Sequence, residues 1–212
     1  MVICVFGAAS EAVDAIYKEK CYSLCKKLAE RGHSLIYGAG SEGLMGAAAR
    51  GFKDGGGKVH GIIPHFFKEK SFEGIYYDSD KLEFTETMAE RKQKMEDGCD
   101  AFIVVPGGIG TFEEFFEVLT LKQLGRHKKA IAVYDIAGYY SGLDRMFDGI
   151  IKSRFVNEEC KKLYKTMVDE KEVIDYIENY SAGDVDWNLL KRNVENPKTS
   201  DFLIKNGIRR RF

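Results

Sequence analysis

The stretch IVVPGGIGTFEEFFEVL, from Ile103 to Leu119, changes character three times: an aliphatic run, then a proline with three glycines in four positions, then an acidic amphipathic segment. An apolar run too short for a buried helix reads as a strand, and the segment after Gly107, Gly108 and Gly110 carries helical spacing, so the unit is strand, glycine turn, helix. The same alternation extends in both directions. Upstream lie VICVF (2–6), a helix near 12–31, HSLIYG (33–38), a helix near 43–54, KVHGIIP (58–64) and a helix near 88–98 leading into AFIVVP (101–106). Downstream of a helix near 111–124 come KAIAVYD (129–135) and a helix near 139–152. Strands alternating with helices give βαβ units, and these predict an α/β fold: a doubly wound, mainly parallel sheet with helices on both faces.

The 212 residues, 44% of them hydrophobic, suffice for one well-buried domain, expected over residues 1–180, with a tail over 181–212. That tail turns polar after Tyr180 and ends in a basic cluster. It reads either as an arm wrapping a partner subunit through Trp187, Leu189, Leu190, Phe202 and Leu203, or as a loosely docked appendage. A net charge of −1 from 32 basic and 33 acidic residues steers the chain toward neither nucleic acid nor an anionic membrane, so any anion site must be local. No apolar run is long enough to span a bilayer, and MVICVFGAASEAVD reads as a first strand rather than a signal peptide, which predicts a soluble cytoplasmic protein. Five cysteines, an odd and scattered set, predict reduced thiols; Cys21 and Cys25 share a helical face as packing residues. The four histidines are scattered too, and no metal site is assigned. Gly32 is the expected C′ residue of the first helix.

In a doubly wound sheet, ligands bind beyond the carboxyl ends of the strands. Three loops there are rich in glycine or small residues: FGAAS (6–10), YGAGSEGLMG (37–46) and PGGIGT (106–111). Glycine lets main-chain N–H groups approach a ligand, and a following helix start adds unpaired N–H groups and partial positive charge, which together suit a phosphate. PGGIGTFEE has no lysine after its glycines and is no P-loop, while GAGSEG matches the dinucleotide fingerprint only weakly.

Two helix starts carry further information. Thr111 to Glu114 fits a capping box with Thr111 as N-cap, and Thr87 to Glu90 repeats the pattern. Capping alone would account for Glu114. Arg91 and Lys92, however, place two cations within about the first helical turn against the macrodipole, at a cost of some tenths of a kcal/mol each, and a bound anion or a facing carboxylate would offset them, with solvation the alternative, more for Lys92 than for Arg91. If both helices start at the same sheet edge, Arg91 and Glu114 face one pocket, an arrangement suited to a phosphorylated sugar.

PGGIGTFEE (106–114) with ERKQKM (90–95) resembles the paired signature of the LONELY GUY family of cytokinin riboside 5′-monophosphate phosphoribohydrolases, and YGAGSEGLMG is similar to that family's GGGxxGLMG segment. The resemblance runs from about residue 2 to about residue 180. It implies a Rossmann-like domain, a homodimer with the site near the interface, no cofactor, and hydrolysis of the N-glycosidic bond of N6-substituted adenosine 5′-monophosphates to free base and ribose 5-phosphate, with AMP itself the substrate of some relatives. It also implies a small-molecule nucleoside monophosphate as the ligand, rather than nucleic acid or membrane. By motif position, Arg91 and Glu114 match the catalytic pair; Gly107, Gly108, Gly110 and Thr111 match the phosphate and ribose loop; and Lys92 matches the partner of the arginine. Glu73 and Thr120 match substrate-contacting positions. Gly7-Ala8-Ala9-Ser10 stands where the family has CGSS, leaving Ser10 as the remaining hydroxyl, and Ala39 replaces a glycine. Some relatives carry the label lysine decarboxylase, but that chemistry requires a buried Schiff-base lysine, and no lysine is expected at such a place. The rival class is a non-enzymatic nucleotide or molybdenum-cofactor carrier on a similar scaffold, which would need the glycine loops but not the Arg91–Glu114 pair.

Overall fold

The computed structural model describes residues 1–68 and 74–190. Glu73, Phe202 and Leu203 therefore lie outside the described residues. Seven strands form one sheet: β1 (Val2–Phe6), β2 (Ser34–Tyr37), β3 (Val59–Pro64), β4 (Lys81–Thr85), β5 (Ala101–Val104), β6 (Ala130–Tyr134) and β7 (Lys165–Met167). Their order is β4-β3-β2-β1-β5-β6-β7, and every pairing is parallel. The helices are α1 (Ala15–Glu30), α2 (Gly43–Asp54), α3 (Met88–Gly98), α4 (Ile109–Gln123), α5 (Ser141–Lys152), α6 (Glu170–Glu178) and a single turn, α7 (Trp187–Leu190).

Alternation along the strands builds two cores. Ile3 and Val5 of β1 pack with Cys21, Leu24, Leu28, Phe52 and Ile177 of α1, α2 and α6, whereas Cys4 and Phe6 pack with Met95, Phe115, Val118 and Phe147 of α3, α4 and α5. The α/β expectation holds, and α3 and α4 lie on the same face of the sheet. Cys21 and Cys25 are core residues, and all five cysteines are buried thiols. Gly32 ends α1 at a φ of 84°, with its N–H on the Ala29 carbonyl at 2.8 Å and that of His33 on the Leu28 carbonyl at 3.2 Å.

Three elements were not expected from the sequence: β4, β7 and α6. Both strands are sheet edges with little apolar content, KLEFT and KTM, which gives them no aliphatic run to read. Helix α6 buries Val173, Ile174 and Ile177 and is capped by Asp169, whose carboxylate accepts from the Lys171 and Glu172 N–H groups. Residues 182–190 pack on their own domain: Val185 and Leu190 are buried among the second core, and the Asp186 N–H donates to Glu159 at 2.6 Å. No helix among the described residues is long and apolar enough to cross a membrane.

Candidate functional site

The strand order reverses between β1 and β5, so the connections leaving them diverge and open a crevice at the carboxyl edge. A cavity of about 330 Å³ occupies this switch point, at the lower end of the usual size for small-molecule sites. Its walls come from Gly7 to Ser10 after β1, from Gly108, Gly110 and Thr111 at the start of α4, and from Met45, Phe67 and Met88 as an apolar side. Arg91 of α3 and Glu113 and Glu114 of α4 supply the charge.

Helix α4 begins two residues earlier than the sequence suggests. Gly108, not Thr111, is the N-cap, and as a glycine it offers no side chain to cap the helix. Thr111 is therefore the third residue inside the helix, and the capping box assigned to Thr111 and Glu114 does not form. The N–H groups of Ile109, Gly110 and Thr111 have no intrahelical acceptor, and they point out of the helix start beside the crevice. Helix α2 contrasts with this: its first turn donates to the Ala8 carbonyl from Leu44 N (2.8 Å) and Met45 N (3.1 Å), and Glu11 accepts from Gly43 N at 2.7 Å. The second glycine loop thus spends its helix start inside the protein. Gly107 is required by close approach, since a Cβ there would stand 2.6 Å from Thr111 Cβ and 2.9 Å from Ala8 N. Tyr139 and Tyr140 hold the loop from behind, donating to the carbonyls of Gly107 (2.5 Å) and Val105 (2.8 Å).

Arg91 is 6% exposed, a buried cation held by main chain. Its Nε donates to the Ile62 carbonyl and its Nη2 to the Gly38 carbonyl, each at 3.1 Å. Ile62 lies in the second half of β3 and Gly38 directly follows β2, and hydrogen bonds from a charged donor fix the guanidinium without a partner carboxylate from those strands. Position 38 must be glycine for this, because a Cβ there would come within 2.7 Å of Arg91 Cζ and closer still to Nη2. Sequence reasoning placed Gly38 in an anion loop and missed this role; the signal was a buried arginine in want of acceptors. At the other helix start the expected Thr87 cap forms, with Thr87 Oγ1 accepting from Glu90 N at 3.1 Å.

The remaining expected site residues are distributed as follows. Glu114 lines the crevice with Arg91, and both act on the buried Cys4 thiol of β1, which burial pushes up first, then Cys99 and Glu114, against a smaller pull from Arg91. Ser10 lines the mouth, its Oγ accepting from Ala12 N at 3.3 Å. Lys92 is not among the crevice-lining residues: its ammonium bridges Glu113 and Glu117, the latter at 2.6 Å. Burial pulls that ammonium down, but the two carboxylates outweigh it and raise it above the ordinary lysine value. Thr120 is exposed, nine positions beyond Thr111 and so about 13 Å further along the helix axis, outside the crevice. Among the described residues no group of three or more His, Cys, Asp or Glu side chains is placed to hold a metal.

One expectation about lysines is corrected. Lys122 is fully buried, its Nζ donating to the Leu163 carbonyl at 2.7 Å, and burial lowers it to about 7. The sequence hides this because Lys122 falls near the polar end of α4, where a lysine normally reaches solvent. It does not line the crevice, and no lysine does among the described residues. The crevice therefore does not fit a pyridoxal phosphate Schiff base.

A family profile described as "Possible lysine decarboxylase" matches residues 45–177. The cytokinin riboside 5′-monophosphate phosphoribohydrolase LOG of Oryza sativa subsp. japonica is 34% identical over 185 residues, covering 85% of this chain and 76% of the relative. The enzyme of the same description, LOG2, from Arabidopsis thaliana is 34% identical over 178 residues, covering 84% and 83%. Among solved structures, the molybdenum cofactor carrier protein of Chlamydomonas reinhardtii aligns with a TM-score of 0.63 at 20% identity, covering 84% of this chain and 95% of its own, a likeness of fold alone. The similarity to the phosphoribohydrolases extends along most of both chains, and the family profile spans the strand, glycine turn and helix at 101–123 that help build the crevice, so the chain belongs to the LONELY GUY family of cytokinin riboside 5′-monophosphate phosphoribohydrolases.

Proposed function

We propose that this chain hydrolyses the N-glycosidic bond of adenosine 5′-monophosphates, N6-substituted or plain, to the free base and ribose 5-phosphate. The observation that carries the reading is the meeting of Arg91 and Glu114 in one crevice whose rim is an uncapped helix start. The 5′-phosphate takes the N–H groups of Ile109, Gly110 and Thr111, and this remote binding energy places the sugar. Cleavage breaks C1′–N9, with the electron pair leaving on the base, and positive charge develops on the ribosyl ring. Glu114 stabilises that charge and accepts a proton from the water whose oxygen bonds to C1′, and the departing base anion takes up a proton from solvent, after which Glu114 releases its own. Arg91, immobilised by two carbonyls, favours charge building on the leaving base. Met45, Phe67 and Met88 give the base its apolar wall.

Family membership and exposed apolar side chains beside the crevice support a homodimer: Ile109 is 91% exposed at the start of α4, and Tyr139, whose hydroxyl reaches the Gly107 carbonyl, is exposed too. The free buried thiols support a cytoplasmic location. The test is to incubate the protein with AMP and with N6-isopentenyl-AMP and follow base and ribose 5-phosphate by chromatography. Release from either, abolished by Glu114→Gln with the fold intact, is the expected result. Binding of both without release would overturn the reading in favour of a carrier.

A further inference from the structure

The crevice needs two charged groups from two different helices, each anchored to the sheet on its own: α3 through Arg91 on the Ile62 and Gly38 carbonyls, α4 through its connection from β5. Arg91 leaves α3 and Glu114 leaves α4, after β4 and β5, strands separated by three others in the sheet. Each is followed or preceded in the chain by a member of one ion cluster: Lys92 follows Arg91, and Glu113 precedes Glu114. Lys92 pairs with Glu113 and, one turn further along α4, with Glu117 at 2.6 Å. Its side chain is only 16% exposed, so the bridge is screened less by solvent than an ordinary surface pair. Glu96, one turn along α3 from Lys92, also faces Glu117; burial first and that carboxylate second push it up to about 7. Lys92 is thus the one cation directly bridging carboxylates of α4 from α3 among the described residues.

We propose that Lys92 is a positioning residue rather than a substrate ligand: by bridging Glu113 and Glu117 it fixes the start of α4 against α3 and so sets where Glu114 stands relative to the carbonyl-held Arg91. The proposal rests on the phosphoribohydrolase reading of the crevice. A misplacement of about 1 Å between reacting groups costs on the order of a hundredfold in rate, so a clamp next to both groups acts on turnover rather than on phosphate binding.

The test is steady-state kinetics with AMP or N6-isopentenyl-AMP, whichever the wild type cleaves. Lys92→Met should lower kcat by about thirtyfold or more with KM changed less than about threefold, and Lys92→Arg, which can still span both carboxylates, should recover most of the loss. Adding Glu117→Gln to Lys92→Met should cost no further activity, since the substitution relieves the Glu113–Glu117 repulsion left by the missing cation. If Lys92→Met does not fold, Glu117→Gln alone carries the test, with a smaller fall in kcat at constant KM expected. A Lys92→Met enzyme with wild-type kcat, or one whose loss is a raised KM with inorganic phosphate no longer competing, would overturn the proposal, as would a Glu117→Gln enzyme with wild-type kcat where only that variant folds. Failure of the wild type to cleave either nucleotide would instead overturn the reading beneath it.

Discussion

Gly38→Ala tests the role proposed for Arg91 without altering any charged group. Position 38 has no backbone strain to relieve, but its new methyl would stand within 2.7 Å of Arg91 Cζ and closer to Nη2. One or both must move. Because Arg91 is 6% exposed, its guanidinium cannot swing into water without dragging its stem out of the core, so the displacement breaks the bond to the Gly38 carbonyl and strains the one to Ile62. Hydrogen bonds to a charged group contribute about 1.5–3 kcal/mol each, so losing one and weakening the other should cost about 3 kcal/mol. For a domain of this size that is roughly 6–12 °C in Tm. A guanidinium moved by about 1 Å should lower kcat about a hundredfold. Calorimetry gives the first number, and base release from the preferred nucleotide gives the second. Since the substitution acts through Arg91, adding it to Arg91→Ala should leave kcat unchanged, in the manner of residues acting as a unit. A Gly38→Ala protein that melts within about 2 °C of wild type with kcat within about threefold would refute the account, because the Arg91 pocket would then be neither tight nor needed.

Two further predictions concern stability and pH. Lys122, lowered to about 7 by burial, binds its proton more weakly folded than unfolded, so the unfolded state holds more protons between about pH 7 and 10.5 and stability should rise across that window. Lys122→Met removes this slope: relative to wild type it should be best near pH 7 and lose a few kcal/mol of that advantage by pH 10, even after the unsatisfied Leu163 carbonyl takes its share; a difference constant from pH 7 to 10 would refute the buried-amine assignment. Glu178 is held down to about 2, first by Arg31 and then by His33, so its stabilisation is present above the ordinary glutamate value and lost as pH falls toward 2. Glu178→Gln should therefore cost about 1 kcal/mol at pH 7 and nothing at pH 2, as denaturant titrations at both would read.

Much of the architecture was legible because parallel strands buried on both faces are uninterrupted aliphatic runs: VICVF, AFIV and AIAVY announce β1, β5 and β6. The edges were not, since β4 and β7 bury only part of one face and carry lysine, glutamate and threonine where a central strand carries valine. At the site, the alternation of strands and helices put the glycine loop at the carboxyl edge, left the meeting of Arg91 and Glu114 conditional on both helices starting there, and misread the start of α4. A threonine followed by Phe-Glu-Glu satisfies the capping pattern locally, whereas Gly108 takes the cap because the chain leaves β5 already turned, with Tyr139 and Tyr140 gripping the carbonyls of Gly107 and Val105. That tertiary grip has no trace in residues 106–114.

The two cations at the start of α3 show how a local electrostatic misfit reports on distant structure. Read alone, Arg91 and Lys92 oppose their own helix dipole, and an offsetting anion is the natural inference. The offsets that the structure supplies differ in kind. Lys92 is answered by side chains, Glu113 and Glu117 of the neighbouring helix, and its charge becomes a strut between α3 and α4. Arg91 is answered by the carbonyls of Gly38 and Ile62, dipoles rather than charges. Neutral acceptors hold the guanidinium in place without pairing its charge, so Arg91 brings a fixed positive charge to the crevice that Glu114 also lines. A carboxylate in place of either carbonyl would have stabilised the arginine more and left less of its field for a leaving base.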